Sequence, residues 1–239
     1  MVKKAFFTLV RNEKAFLPIL LKYYSKFFEQ KDIFVLSHNT DDGSTDGLNC
    51  NVIPIKHPTV SHEWMLETCS NFQKNLLKHY EVVVFAEADE LIYHKDGLDV
   101  FIENMSGSSA RCNGFNIYQH KSEQPYDPAK SILSQRKYCL PEAMFCKTLV
   151  SKVPIEWDKG FHHALNQNGT ITPNLFLFHL HYFDEGVACE RKRLRQAMLW
   201  NPKDIENHWG EQWWLYETDW SWKDDLLLIP KEIRESEAF

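Results

Sequence analysis

The sequence predicts an α/β fold with a central, mostly parallel β-sheet flanked by helices. Strand-like and helical segments alternate through the first hundred residues of the 239-residue chain. This strand–helix–strand rhythm is typical of parallel sheets, because parallel strands need a crossover between them. Hydrophobic residues make up 44% of the chain and charged residues 25%, which is the composition of a globular protein. One large α/β domain can account for a chain of this length.

Six segments in the first part of the chain justify this prediction. Residues 5–10 form an apolar run that reads as a buried strand, and the helix after it carries Pro18 in its first turn, where proline is tolerated. In the second long helix Trp64, Phe72 and Leu76 fall close to one face. The predicted elements are, in order, a strand at 4–10, a helix at 15–28, strands at 31–38 and 50–55, a helix at 61–80 and a strand at 81–88.

The alternation weakens after residue 105. An antiparallel-looking strand is expected at 114–120, with further strands at 143–152 and 174–184. Residues 121–131, KSEQPYDPAKS, form a polar segment of the kind that covers a site or contacts a partner.

The C-terminal part of the chain differs in composition from the rest. From residue 189 the sequence reads as helical, and five tryptophans occur within residues 208–222. We therefore predict one domain at 1–188 and a helical, tryptophan-rich extension at 189–239 that packs on the same domain.

Charge and cysteine content limit the classes of protein to which the chain can belong. A formal net charge of −6 lacks the basic footprint of a nucleic-acid-binding protein, although residues 190–196, ERKRLRQ, are locally basic. No segment approaches the roughly 18 consecutive apolar residues of a membrane span. The six cysteines are scattered without a CxxC pair, which favours reduced thiols. We expect a cytoplasmic protein, with peripheral attachment at the inner membrane surface as the other possibility.

Polar clusters follow three of the predicted strands. Residues 11–13 (RNE) follow the first strand, residues 38–47 (HNTDDGSTDG) the second, and residues 87–90 (EADE) the fourth. Ligands of open α/β sheets bind beyond the carboxyl ends of the strands. The three clusters therefore predict one site at that edge of the sheet.

The acidic cluster suits a hard divalent cation. On an extended strand Glu87 and Asp89 point to the same side, while Glu90 points away. Two such carboxylates repel each other unless a cation or a donor lies between them. Mn²⁺ or Mg²⁺ takes one or two carboxylates from a protein and completes its shell with water and phosphate oxygens. The cluster therefore predicts a metal–diphosphate site.

Histidines supply further candidates for this site. His179 and His181 lie two apart on a predicted strand and hence on one face, and a His-x-His pair is a common metal-ligand arrangement. The alternative is that they are structural histidines among aromatic side chains. The same alternatives apply to His162 and His163, which point in different directions.

Together these motifs resemble those of the GT-A-fold glycosyltransferases, in particular the family 2-like group. The resemblance covers about residues 4 to 184 and lies in an Asn-Glu pair after the first strand, the loop NTDDGSTDG after the second, EADE after the fourth and a late histidine on a strand. It implies transfer of a sugar from a nucleotide-diphosphate sugar, most commonly a UDP-sugar, to a carbohydrate or glycolipid hydroxyl. It also implies a bound Mn²⁺ or Mg²⁺ and inversion at the anomeric carbon.

The resemblance implies roles for individual residues. Asp89 would be the direct metal ligand, Glu87 would face the ribose and a metal-bound water, and His181, with His179 as the alternative, would be the C-terminal ligand. Glu90 would brace the site, and His162 would lie near the diphosphate. The residues expected beside the nucleotide are Arg11, Asn12, Glu13, Asn39, Asp41, Asp42, Glu87 and Ala88.

An inverting transfer needs a carboxylate base on the acceptor hydroxyl. The candidates are Asp158 and Glu156, followed by Glu142 and Glu123. The favoured one is Asp158, since it lies just before His162 in the sequence.

The sequence departs from the family pattern at two points. Glu87 stands where the first Asp of the acidic motif is usual, and the loop at 38–47 has extra residues before Ser44. Two other functions stay open on the same residues. One is a hydrolase in which His179, His181 and Asp89 hold a catalytic metal, and the other is a non-catalytic module that binds a nucleotide-sugar.

Overall fold

The computed structural model describes residues 2–167, 169–211, 222–236 and 239. The predicted α/β fold class is confirmed, because helices flank a ten-stranded sheet whose central strands are parallel. The strands are β1 Lys4–Val10, β2 Ile33–His38, β3 Asn51–Ile55, β4 Val82–Phe85, β5 Glu90–His94, β6 Ser109–Tyr118, β7 Tyr138–Pro141, β8 Thr148–Ser151, β9 Ile171–Tyr182 and β10 Leu227–Leu228. The helices are α1 Phe16–Tyr24, α2 His62–Leu76, α3 Leu98–Asn104, α4 Ile132–Gln135, α5 Glu185–Gln196, α6 Pro202–Glu206 and α7 Lys231–Arg234. Short 3₁₀ helices lie at Gln30–Asp32, Ala143–Phe145 and Lys159–Phe161.

The sheet has a parallel half and a mixed half. Strand β1 pairs in parallel with β2 and β4, and β2 pairs in parallel with β3. Beyond β4 the sheet continues through β8, β6, β7 and β10 in antiparallel pairs. Strand β9 pairs in parallel with β6 and antiparallel with β5. The carboxyl ends of β1, β2 and β4 therefore lie at one edge, as the sequence predicts.

Apolar side chains from the parallel strands and their helices build the core. Phe6 of β1 stacks on Tyr24 of α1 with ring centroids 3.8 Å apart, and both rings are fully buried. On the other face, the buried Gln73 of α2 donates to Ser151 at 2.7 Å and accepts from the backbone of Ile155 at 2.8 Å. Buried polar groups need such partners, so α2 is held against β8 in one orientation.

One part of the sequence-based element order needs correction. The strand expected at 81–88 ends at Phe85, and a separate strand, β5, begins at Glu90. The predicted domain boundary at 188/189 falls inside α5, whose first turn is capped by Asp184, accepting from the backbone of Val187 at 3.1 Å. Most of the tryptophan-rich stretch, including Trp213, lies outside the described residues.

No helix in the described ranges combines the length and the apolar character that crossing a membrane requires.

Candidate functional site

A cavity of about 340 Å³ opens at the carboxyl ends of the parallel strands. It collects residues from distant parts of the chain, as expected of a site at this edge of the sheet. The candidate site residues that line it are Arg11, Glu87, Asp89, Glu142, His162, His179 and His181. Each of the polar clusters after β1 and β4 thus contributes to one cavity, together with histidines from β9 and from the loop after β8.

Glu87 and Asp89 lie in a tight turn between β4 and β5 and not on a strand. The chain turns at residues 86–89, where the backbone N–H of Glu90 donates to the carbonyl of Glu87 at 3.1 Å. In return, the side chain of Glu90 accepts from the backbone N–H of Glu87 at 3.0 Å. Ala88 in this turn is buried. The expectation that Glu87 and Asp89 share one side of an extended strand is therefore wrong, because the strand ends first.

Glu87 and Glu90 share a cation that the chain itself supplies. The ammonium of Lys147, a residue only 1% exposed, lies 2.6 Å from Glu87 and 2.7 Å from Glu90. Burial alone lowers the pKa of Lys147, but the two carboxylates outweigh burial and raise it. Burial raises the pKa of Glu90, whereas for Glu87 the nearby Lys147 outweighs burial and lowers the pKa. Glu90 therefore braces the turn by a buried ion pair.

Asp89 makes a separate set of ion pairs. Its Oδ2 contacts the guanidinium of Arg191 from α5 and lies 3.1 Å from Nε2 of His179. Arg191 also reaches Glu13 at 2.9 Å, and Arg195 reaches the same Glu13 oxygen at 2.5 Å. Burial raises the pKa of the Asp89 carboxyl, but Arg191 and His179 more than offset this and hold that pKa well below its usual value.

The arginines of α5 are functional-site residues that sequence reasoning missed. Much of the basic run at 190–196 is exposed, yet Arg191 is buried. The available signal is spacing, since Arg191 and Arg195 lie four residues apart and hence on one face of a helix. Glu13, which is expected beside a nucleotide, forms ion pairs with both arginines and so holds this helix near the end of β1.

Asp89, His179 and His181 form a three-residue group that could hold a metal ion. One potential ligand atom from each lies within 4.8 Å of the other two. Oδ1 of Asn116 on β6 lies 2.6 Å from Nδ1 of His179, and the other ring nitrogen, Nε2, faces Asp89. Such a partner on the second ring nitrogen is what fixes the orientation of metal-ligating histidines. Burial, followed by the charges of His179 and Arg191, holds the pKa of His181 well below its usual value. His181 is therefore neutral, which is the form that binds metals.

The loops after β1 and β2 are tied to each other. Asn12 donates to the carboxylate of Asp41 at 2.8 Å and accepts from the backbone N–H of Asp41 at 3.0 Å. Asn39 donates to the carbonyl of His57, and Asp42 accepts from the backbone of Ser44 at 2.9 Å. None of these four loop residues, Asn12, Asn39, Asp41 and Asp42, is among the described residues that line the cavity.

Arg11 differs from its neighbours because it does line the cavity. Its Nε and Nη1 atoms are buried and have no hydrogen-bond partner among the described residues. Buried guanidinium nitrogens without partners are costly, and a guanidinium is a donor fork suited to phosphate oxygens. Arg11 thus offers the cavity an anion-binding group.

The predicted base residues lie elsewhere. Asp158 accepts from the backbone N–H of Lys159 at 2.7 Å and caps a short 3₁₀ helix, and Glu156 is exposed. Neither residue is among the described residues that line the cavity, whereas Glu142 is. Beside the cavity, Tyr118 and Tyr182 stack with ring centroids 4.8 Å apart and planes 5° from parallel.

Comparison with solved structures finds similar proteins. Glucosyl-3-phosphoglycerate synthase from Mycobacterium tuberculosis, in complex with Mn²⁺, UDP-glucose and phosphoglyceric acid, is similar at 11% identity over 51% of this chain and 45% of that one, with a TM-score of 0.31. TarS from S. aureus is similar at 12% identity over 87% and 42%, with a TM-score of 0.41. Mannose-1-phosphate geranyltransferase from Thermus thermophilus is similar at 10% identity over 81% and 60%, with a TM-score of 0.35.

This chain spans about two fifths to three fifths of the lengths of those three proteins. Comparison with protein-family models gives no match, and neither does comparison with curated proteins. All three TM-scores lie below 0.5.

Proposed function

We propose that the chain is a divalent-metal-dependent glycosyltransferase. It would move a sugar from a nucleotide-diphosphate sugar, with UDP as the nucleotide, to a hydroxyl of a carbohydrate or glycolipid acceptor, with inversion. The observation that carries this proposal is that Arg11 and the group Asp89–His179–His181 line one cavity beyond the carboxyl ends of parallel strands. A sugar nucleotide presents a diphosphate, which needs both a cation and hydrogen-bond donors.

The residues present fit a bound divalent ion. Asp89, His179 and His181 would hold it, and Glu87 would contribute through water. One carboxylate and two imidazoles suit Mn²⁺ better than Mg²⁺, which prefers oxygen ligands. When bound, such an ion neutralises the negative charge that develops on a departing diphosphate.

Arg11 would bind the diphosphate directly. Its two unpartnered nitrogens can donate to phosphate oxygens. His162 and Arg195 line the same cavity and add donors around that position. These groups would orient the donor so that the anomeric carbon faces the acceptor side of the cavity.

Glu142 would serve as the base that accepts the proton of the acceptor hydroxyl. It lines the cavity, whereas the favoured sequence candidates Asp158 and Glu156 do not. The stacked rings of Tyr118 and Tyr182 lie at the same side and offer a flat apolar face to a sugar ring. Glu142 would thus act next to the acceptor and away from the carboxylates already paired with Lys147 and Arg191.

A metal-dependent hydrolase is the second candidate function. Two histidines and one carboxylate are a ligand set of catalytic zinc sites, where the ion activates water. A hydrolase would require no nucleotide, so the buried Nε and Nη1 atoms of Arg11 would have no diphosphate to bind. A non-catalytic nucleotide-sugar-binding module would use the same residues without turnover.

We also propose a cytoplasmic location. Peripheral attachment to the inner membrane surface would agree with a glycolipid acceptor. All six cysteines are free thiols, and four of them are buried. Unpaired cysteines in a chain with six of them are typical of a reducing compartment.

Turnover of UDP-sugars tests the proposed function. The chain is incubated with a panel of UDP-sugars and Mn²⁺, with simple sugar acceptors, and released UDP is quantified. We expect release in the parent, and about a hundredfold less in the Asp89→Asn variant, as for removal of a metal-site group. The matched control is Asp96→Asn, a carboxylate 58% exposed at its side chain. Release at the same rate in the presence of a chelator would contradict metal dependence, and ester or amide cleavage without nucleotide would establish the hydrolase.

A further inference from the structure

A second cavity lies on the α1 side of the protein, and none of its lining residues belongs to the candidate site cavity. We call it the lysine-rimmed groove. It has a volume of about 350 Å³ and lies between α1, the polar segment at 121–131 with the first residue of α4, and the start of α5. This volume is within the range of small-molecule sites, roughly 300–1,000 Å³.

The floor of the groove is apolar. Helix α1 contributes Pro18 and Ile19, and the opposite side contributes Leu91, Ile132 and Phe183. Leu91 and Phe183 are at most 1% exposed and belong to the main core. The base of the groove is therefore continuous with the main hydrophobic core.

The rim of the groove is basic. Lys14, Lys22 and Lys26 stand on the α1 side and Lys130 on the other, and all four are exposed. Lys130 lies 3.2 Å from Asp127. No acidic residue is among the described residues that line the groove, although the chain carries a net charge of −6. Lysine side chains thus surround an apolar recess in an acidic protein.

A buried ion pair fixes the side of the groove that the polar segment forms. Arg136, 0% exposed at its side chain, lies 3.0 Å from Asp184, which also accepts from the backbone N–H of Tyr126 at 2.8 Å. Arg136 further donates to the carbonyl of Gln124 at 3.0 Å. These bonds hold the polar segment beside the start of α5, so the groove is formed before any ligand arrives.

We propose that the lysine-rimmed groove binds an anionic lipid, with its acyl chain on the apolar floor and its charged headgroup between the lysines. Long lysine side chains place their charge at the rim while their stems extend the apolar surface. Charge complementarity selects an anionic headgroup, and the closed apolar floor selects a hydrocarbon chain. This inference is independent of the proposed transferase activity, because the two cavities share no lining residue.

Calorimetric titration with dodecyl phosphate, below its critical micelle concentration, tests this inference. We expect saturable binding to the parent, with weaker binding of dodecyl maltoside and none of inorganic phosphate at the groove. The double variant Lys14→Glu/Lys22→Glu should bind dodecyl phosphate at least about tenfold more weakly. Lys74→Glu/Lys78→Glu, which makes the same charge change on exposed residues in and just after α2, should bind as the parent does.

A second variant separates the apolar floor from the charge. Ala15 lines the groove and is exposed, so Ala15→Trp should fill the recess without changing any charge and weaken dodecyl phosphate binding. The far-UV circular dichroism spectrum and the thermal unfolding midpoint of all three variants should match those of the parent, which shows that they are folded. Equal affinity for dodecyl phosphate in the parent and the groove variants, or no binding to the parent, would overturn the inference.

Discussion

Replacing Lys147 by methionine is expected to lower the free energy of unfolding by about 3–5 kcal/mol at pH 7. Lys147 is 1% exposed at its side chain and lies 2.7 Å from Glu90, which is 0% exposed. Methionine fills a similar volume but leaves the Glu90 carboxylate buried without a counter-charge. Urea unfolding of the two proteins measures the difference.

The loss should depend on pH in a defined direction. Burial raises the pKa of Glu90, and Lys147 acts against that rise, so removal of Lys147 moves the folded-state pKa further above the unfolded one. Such a carboxyl destabilises the fold above the unfolded pKa, and the penalty disappears as the pH falls to that value. The difference between variant and parent should therefore be smaller at pH 5 than at pH 8.

Two further variants control this experiment. The double variant Lys147→Met/Glu90→Gln should recover most of the lost stability, because the buried charge is gone. Lys74→Met removes an exposed lysine of α2 and should not change stability. An equal loss at pH 5 and pH 8 would show that packing, and not the charge of Glu90, is what Lys147 supports.

Replacing Glu142 by glutamine is expected to lower kcat for sugar transfer about 10²- to 10⁴-fold, the contribution of a general base. Glutamine keeps the shape of the side chain but cannot accept the proton of the acceptor hydroxyl. Binding of UDP with Mn²⁺ should be unchanged, since Glu142 is proposed to act on the acceptor. Steady-state kinetics of UDP release, combined with calorimetry of UDP binding, separate the two effects.

Asp158→Asn provides the discriminating comparison. Asp158 caps a 3₁₀ helix through its bond to Lys159 and lies outside the cavity lining, so kcat should not fall by the same factor. A larger loss of kcat in Asp158→Asn than in Glu142→Gln would reverse this assignment and restore the base that the sequence favours.

Sequence reasoning reached the site because its main signals are local. Apolar runs identify β1, β2 and β4, and the carboxyl ends of parallel strands meet at one edge, which brings Arg11 and Asp89 to one cavity. The alternation of side chains along β9 likewise places His179 and His181 together. Each of these inferences needs only the period of a strand and the order of the elements.

The ion pairs could not be obtained in the same way. Lys147 and Arg191 come from segments 60 and 102 residues away from their partners Glu87 and Asp89. Whether a lysine or an arginine is solvated or buried depends on such distant partners, and a single sequence does not show them. The turn at residues 86–89 was missed because an apolar run does not mark where hydrogen bonding to the next strand stops.

The most direct test of the central claim is calorimetric titration of UDP in the presence of Mn²⁺ and again with a chelator. It compares the parent with two variants. His181→Ala removes a proposed metal ligand, and His79→Ala, which replaces an exposed histidine, is the matched control. The proposed site predicts Mn²⁺-dependent binding in the parent and in His79→Ala, and its loss in His181→Ala. UDP binding that is equally strong with the chelator, or in His181→Ala, would contradict a metal–diphosphate site at Asp89, His179 and His181.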